Sequence, residues 1–132
     1  MSKKTSLGGL PVGGAEPLIA TAVRWGDLLF LSGRAAVVPE TLEVTSDNFD
    51  EQARFVLDTI VDVLRSSGSS PEEVLRVECY LARRDDVPAW NEFFAEYFPP
   101  PLPARTTVVA DFGVEGLLIE VQVTAGVPDG AA

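Results

Sequence analysis

The sequence predicts an α+β fold: one mixed sheet with two helices packed on one face, in the order β-β-α-β-α-β-β. Five stretches have the alternating or continuously apolar character of strands. Two others, around 49–64 and 87–98, repeat apolar residues at the helical period. The chain has 132 residues, 46% hydrophobic and 23% charged, which suits one domain over 1–132 with one modest core.

Residues 1–14 are polar and glycine-rich and read as a mobile arm or a turn feeding the first strand. Their glycines lack the Gly-Lys-Ser/Thr ending of a phosphate-binding loop. Over 18–25, Ile19, Thr21, Val23 and Trp25 alternate with Ala20, Ala22 and Arg24, which predicts a strand. Gly26-Asp27 turns the chain into a second, largely buried strand, 28–33, so the pair forms a hairpin. Ser32 and Gly33 at its end either terminate the strand or present hydroxyl and backbone donors to a ligand.

Phe49, Ala53, Val56, Leu57, Ile60, Val63 and Leu64 mark an amphipathic helix. Asn48 caps it with Glu51 as reciprocal partner, and Gly68 ends it. After a short turn at Ser70-Pro71, residues 74–82 alternate as a half-buried strand. Leu75, Val77, Cys79 and Leu81 are expected on one face, and Arg76, Glu78 and Tyr80 on the other. Asp85 or Asp86 caps the second helix, whose apolar side is Trp90, Phe93, Phe94, Tyr97 and Phe98, with Asn91 beside it. Such a stripe reads as core or subunit contact.

The prolines of 99–103 cannot continue a helix, so they run extended and fix where Arg105 points. Residues 106–111 and 117–125 are the last two strands, and the tail from Gly126 is expected to be flexible. In the final strand Leu117, Ile119, Val121 and Val123 face one way, and Leu118, Glu120, Gln122 and Thr124 the other. With both helices on one face, the sheet face bearing Tyr80 and Glu120 has no cover. A small chain with such a face is expected to oligomerise.

Two residue types carry the chemistry. Arg105 at the mouth of a strand can grip a planar carboxylate with two parallel hydrogen bonds. Glu120 sits among apolar neighbours, where a carboxylate is costly to bury without a partner. The expectation is that the two face one pocket from neighbouring strands, one holding an anionic substrate and the other a water. A plain salt bridge between them is the competing reading.

Composition limits the alternatives. The chain has no histidine, which excludes Ser-His-Asp and Cys-His catalysis. Its single cysteine, Cys79, forms no intrachain disulfide, fits a reducing compartment, and reads as a core residue. A net charge of −10 repels phosphate backbones, so no nucleic-acid partner is expected. No apolar run approaches the ~20 residues of a membrane span, and no long apolar region follows the basic start. A cytoplasmic location without membrane attachment is therefore expected.

The residues resemble the Rid family, the reactive-intermediate deaminases of RidA type, formerly described as L-PSP endoribonucleases. The likeness spans about 19–125. It is carried by Val23-Arg24-Trp25-Gly26-Asp27-Leu28-Leu29-Phe30-Leu31-Ser32-Gly33, then Asn91-Glu92-Phe93-Phe94, Pro103-Ala104-Arg105-Thr106 and Ile119-Glu120-Val121. The resemblance implies a chorismate-mutase-like fold, a homotrimer with clefts at the subunit interfaces, and hydrolysis of 2-imino acids or enamines to 2-keto acids and ammonia. It implies that Arg105 binds the substrate carboxylate and that Glu120 orients the attacking water. Ser32, Gly33, Asn91, Thr107 and Ile19 would line the substrate site, with no metal or cofactor required. Family members often carry tyrosine where this chain has Ile19, and commonly glutamine where it has Arg34. The first change removes a hydroxyl and makes the pocket more apolar. The competing functions are a non-catalytic trimer that binds a small carboxylate and, from the older family name, an RNA-cleaving enzyme.

Overall fold

The structure is a computed structural model that describes residues 2–128. Its strands are β1 (Lys4–Leu7), β2 (Ala22–Trp25), β3 (Leu28–Leu31), β4 (Arg34–Ala35), β5 (Val74–Leu81), β6 (Ala104–Val109) and β7 (Ile119–Gly126). The helices are α1 (Phe49–Ser66) and α2 (Val87–Tyr97). The sheet order is β1-β2-β3-β7-β5-β6, with β4 also pairing β7. Only β5 and β6 run parallel, joined by the α2 crossover. The expected α+β mixed sheet is therefore present, with two short strands added to the expected order.

Both helices cover one face of the sheet. Ile119, Val121, Val123 and Ala125 of β7 are buried against Ala53, Val56, Leu57 and Ile60 of α1 in one core cluster. Asn48 caps α1 by accepting the Glu51 N–H at 3.0 Å. The return bond of the expected capping box is absent, because the Asn48 N–H donates to Ser46 Oγ instead. Gly68, at φ 84°, supplies the left-handed turn after the helix. Cys79 is buried, and desolvation pushes its thiol pKa up, as suits a core residue.

Four expectations are corrected. Residues 4–7 are not a mobile arm but strand β1, paired with β2, and Leu10 bridges Ile19. At the other end Gly126 lies within β7 and Val127 is buried; residues 129–132 lie outside the described residues. The β5 alternation slips at its start. A register shift between Val74 and Arg76 buries Val74 and leaves Leu75 half exposed. Asp86 does sit at the α2 N-cap position, but its carboxylate binds Arg83 instead of the helix N–H groups.

A polar core residue also escaped the sequence reading. Gln52 is fully buried on the inner side of α1. Its Nε2 donates to the carbonyls of Ser46 and Gly116, and its Oε1 accepts the Leu118 N–H. It ties the entry to β7 onto α1, and the i+3 step from Phe49 was the available signal.

Candidate active site

The site residues fall into two groups on opposite sides of the sheet. The first group lies on the helix side of edge strand β6. Arg105 pairs in register with Val77, and Thr107 with Cys79, both core residues under the helices. Side chains in register share a face, so Arg105 and Thr107 project toward α2. That helix offers Asn91 and Phe94, three residues apart and therefore on one side. Arg105 Nη2 donates to Asn91 Oδ1 at 2.7 Å, and its guanidinium carbon lies 4.9 Å from the Phe94 ring centroid. The indole of buried Trp90 donates to Thr107 Oγ1 at 3.1 Å. The cation is thus fixed from two sides while the residue stays exposed, which leaves further donors of its fork for a ligand carboxylate.

The second group lies on the helix-free side. Glu120 pairs with Tyr80 on β5 and with Ala35 on β4, between buried Ile119 and Val121. It is partly buried, and no group hydrogen-bonds to its carboxylate among the described residues. Desolvation holds its pKa above the ordinary carboxylate value. Gly33 packs directly on it: a Cβ there would lie 2.5 Å from Glu120 Oε2. Ser32 Oγ donates to the Ala20 carbonyl at 2.6 Å, so its proton is used within the chain and the hydroxyl oxygen is left as an acceptor. Ile19, 40% exposed, joins Ser32, Gly33 and Glu120 in lining a cavity of about 280 Å³.

The expectation that Arg105 and Glu120 face one pocket from neighbouring strands is corrected. β7 inserts between β3 and β5, so β5 separates β6 from β7. The two side chains also leave the sheet on opposite faces. A salt bridge within one chain is excluded by the same geometry. Asn91 and Thr107 accompany Arg105; Ile19, Ser32 and Gly33 accompany Glu120. Phe94 and Trp90 read in the sequence only as members of an aromatic stripe. The i,i+3 spacing of Asn91 and Phe94 was the signal that they share one side, the side that meets Arg105. Arg34 pairs with Val121 and so leaves β4 on the side opposite Glu120; burial lowers its pKa.

Among the described residues no three His, Cys, Asp or Glu side chains come together to hold a metal ion, and no helix is long and apolar enough to cross a membrane. The helix-free face carries Trp25, Phe30 and Val108, between 41% and 51% exposed. The first group offers free guanidinium donors that an anion could accept, and the second a carboxylate that could take a proton from water. Within one chain the two do not meet.

A family model described as endoribonuclease L-PSP matches residues 14–127. The chain is 43% identical over 94 residues to the protein mmf2, mitochondrial, of Schizosaccharomyces pombe, covering 67% of this chain and 69% of that one. It is 30% identical over 87 residues to a 2-iminobutanoate/2-iminopropanoate deaminase of Dermatophagoides farinae, covering 66% and 68%. Among solved structures, a protein of unknown function of the conserved Rid protein family, YyfA from Yersinia pestis, superposes with a TM-score of 0.80 at 26% identity. That match covers 94% of this chain and 99% of the other.

Proposed function

The chain belongs to the Rid family, and on that premise we propose that it hydrolyses 2-imino acids to 2-keto acids and ammonia in sites shared between copies of a homotrimer. The observation that carries this reading is the division of the site residues between two opposite faces. A cyclic trimer joins the helix-side group of one copy to the open-face group of the next. It also covers the apolar residues Trp25, Phe30 and Val108.

In such a site the Arg105 fork grips the substrate carboxylate, with Asn91 and Phe94 holding the guanidinium in place. Glu120 of the neighbouring copy accepts a proton from water as the water oxygen adds to the C=N carbon. Glu120 returns that proton to the carbinolamine nitrogen, and the C–N bond breaks as the carbinolamine hydroxyl gives its own proton back to Glu120, releasing ammonia and the keto acid. The raised pKa of Glu120 makes it a better base than an ordinary carboxylate. A protonated imine is already a strong electrophile, so orientation and one proton transfer supply the few kcal/mol needed, each ~1.4 kcal/mol being tenfold in rate. Neither metal nor cofactor enters this chemistry. The absence of histidine and the charge of −10 weigh against RNA cleavage, which the family model's name carries. A cytoplasmic address goes with this reading, with one relative named mitochondrial.

The test is keto-acid release when an amino-acid oxidase generates the imine in situ. Arg105→Ala should lose roughly 100-fold in kcat/KM, as expected for two charge-assisted hydrogen bonds. Wild-type rates from that variant would refute the assignment. Co-refolding Arg105→Ala with Glu120→Ala should recover roughly a quarter of wild-type activity, because mixed trimers contain some intact interfaces. No recovery would sink the shared site.

A further inference from the structure

We infer that the cavity beside Glu120 is a subsite for an extended aliphatic substrate side chain, with Leu42 setting the chain-length preference; this rests on the imine-hydrolase reading. The cavity of about 280 Å³ is walled by Glu120 and Gly33 on the sheet and by Leu10, Val12, Ile19 and Leu42 above it. Its volume far exceeds the ~30 Å³ share of one water, so it holds more than the attacking nucleophile. Among its lining residues only Glu120 and Arg34 are charged, and Arg34 leaves its strand on the other side, in register with Val121. With the substrate carboxylate taken by Arg105 of the neighbouring copy, this aliphatic wall is left for the side chain.

Two segments build the roof and hold one another. Leu10 and Ile19 exchange backbone hydrogen bonds at 2.8 and 3.2 Å, which carries the N-terminal segment over the cavity. Gly13 N–H then donates to the Pro39 carbonyl at 2.9 Å, latching that segment to the tight turn at 38–43. Within the turn, Leu42 N–H donates to the Val38 carbonyl at 2.7 Å. Leu42 sits at φ 62°, the one non-glycine in the left-handed region among the described residues. A branched side chain resists that conformation, and such strain persists where the surroundings fix it and function uses it. Here it puts an isobutyl group on the cavity wall. A Cβ at Gly13 would lie 3.3 Å from Leu42 Cδ1, so the two roof segments meet at this side chain.

The test pairs binding with turnover. Calorimetry with pyruvate, 2-oxobutanoate, 2-oxopentanoate and 2-oxohexanoate should show affinity rising up to about fourfold per added methylene, and kcat/KM for the norleucine imine should exceed that for the alanine imine by ~10- to 50-fold. Leu42→Gly should flatten both series without lowering the melting temperature, because glycine suits φ 62°. Flat affinities in the wild type, an unflattened series in Leu42→Gly, or tighter binding of 2-oxoglutarate than 2-oxopentanoate would overturn the subsite; the last would point to Arg34. Wild-type deamination by Arg105→Ala would instead overturn the underlying reading, whatever the chain-length series does.

Discussion

The two halves of the site are built by opposite means. On the helix side the charge is held: Arg105 has an amide acceptor at 2.7 Å and an aromatic ring beneath it, and Thr107 has a buried indole donor. On the open side the charge is left alone. Glu120 is partly buried, crowded by Gly33, and has no donor among the described residues. A substrate anion needs a cation already in place, because positioning before arrival saves ordering cost on binding. A base needs the reverse, an environment that keeps its proton affinity high until water occupies the space. On the proposed reading, the contrast separates a binding half from a reacting half.

Substitutions can break this contrast, and the largest effect is expected at the base. Glu120→Gln keeps the shape and removes the base, so kcat should fall ~100- to 10,000-fold while keto-acid affinity stays near wild type. An affinity loss of the same size would mean that Glu120 binds rather than reacts. The pKa shift fixes two further signs. Activity requires ionised Glu120, so the acid limb of kcat/KM should lie above the ordinary carboxylate range of ~4.3. Because the folded pKa is the higher one, the native state binds the proton more tightly than the unfolded chain. Stability contributed by this group is then lost as pH rises through that window. Glu120→Gln should accordingly melt higher than wild type at neutral pH, with the gap closing once the pH drops below the unfolded carboxylate value. A variant that melts lower at pH 7 would reveal a partner for the carboxylate.

A smaller effect is expected from Gly33→Ala. The added methyl must push the Glu120 carboxylate aside, and a misplaced base typically costs ~10- to 100-fold in kcat/KM. Its circular dichroism spectrum should match wild type. Unchanged kcat/KM would mean that the carboxylate position is not critical. Smallest is Asn91→Ala, which frees the guanidinium on one side while Phe94 still supports it. KM should rise ~5- to 10-fold with kcat nearly constant, the loss of one hydrogen bond to a charged group. A fall in kcat instead would erase the division between binding and reacting halves.

How much of this was legible in the sequence depends on how local the signal is. The α1 stripe, the Gly26-Asp27 hairpin and the parity of β7 were readable, because each rests on neighbours in the chain. Parity alone put Glu120 opposite Ile119 and Val121, and that is where it lies. What failed was strand order. Nothing between residues 104 and 126 records that β5 comes between β6 and β7, so Arg105 and Glu120 were expected to meet. β1 was missed because Lys4-Thr5-Ser6-Leu7 is polar, and an edge strand with little burial has no apolar period to detect. The shift at Leu75 escaped because a bulge leaves the residue types unchanged and alters only their phase. Gln52 escaped because the buried side of the helix was read from its apolar residues alone, although the spacing of Gln52 puts it on that side.

The placement of β7 has a consequence for biogenesis. It is the last strand along the described chain, yet it pairs with β3, β4 and β5 and so joins the two halves of the sheet. Until it leaves the ribosome, the hairpin built from the N-terminal segments and the parallel unit built around α2 have no backbone partner in common. Sheet closure must therefore wait for β7, and a nascent chain halted before residue 119 should stay open to protease.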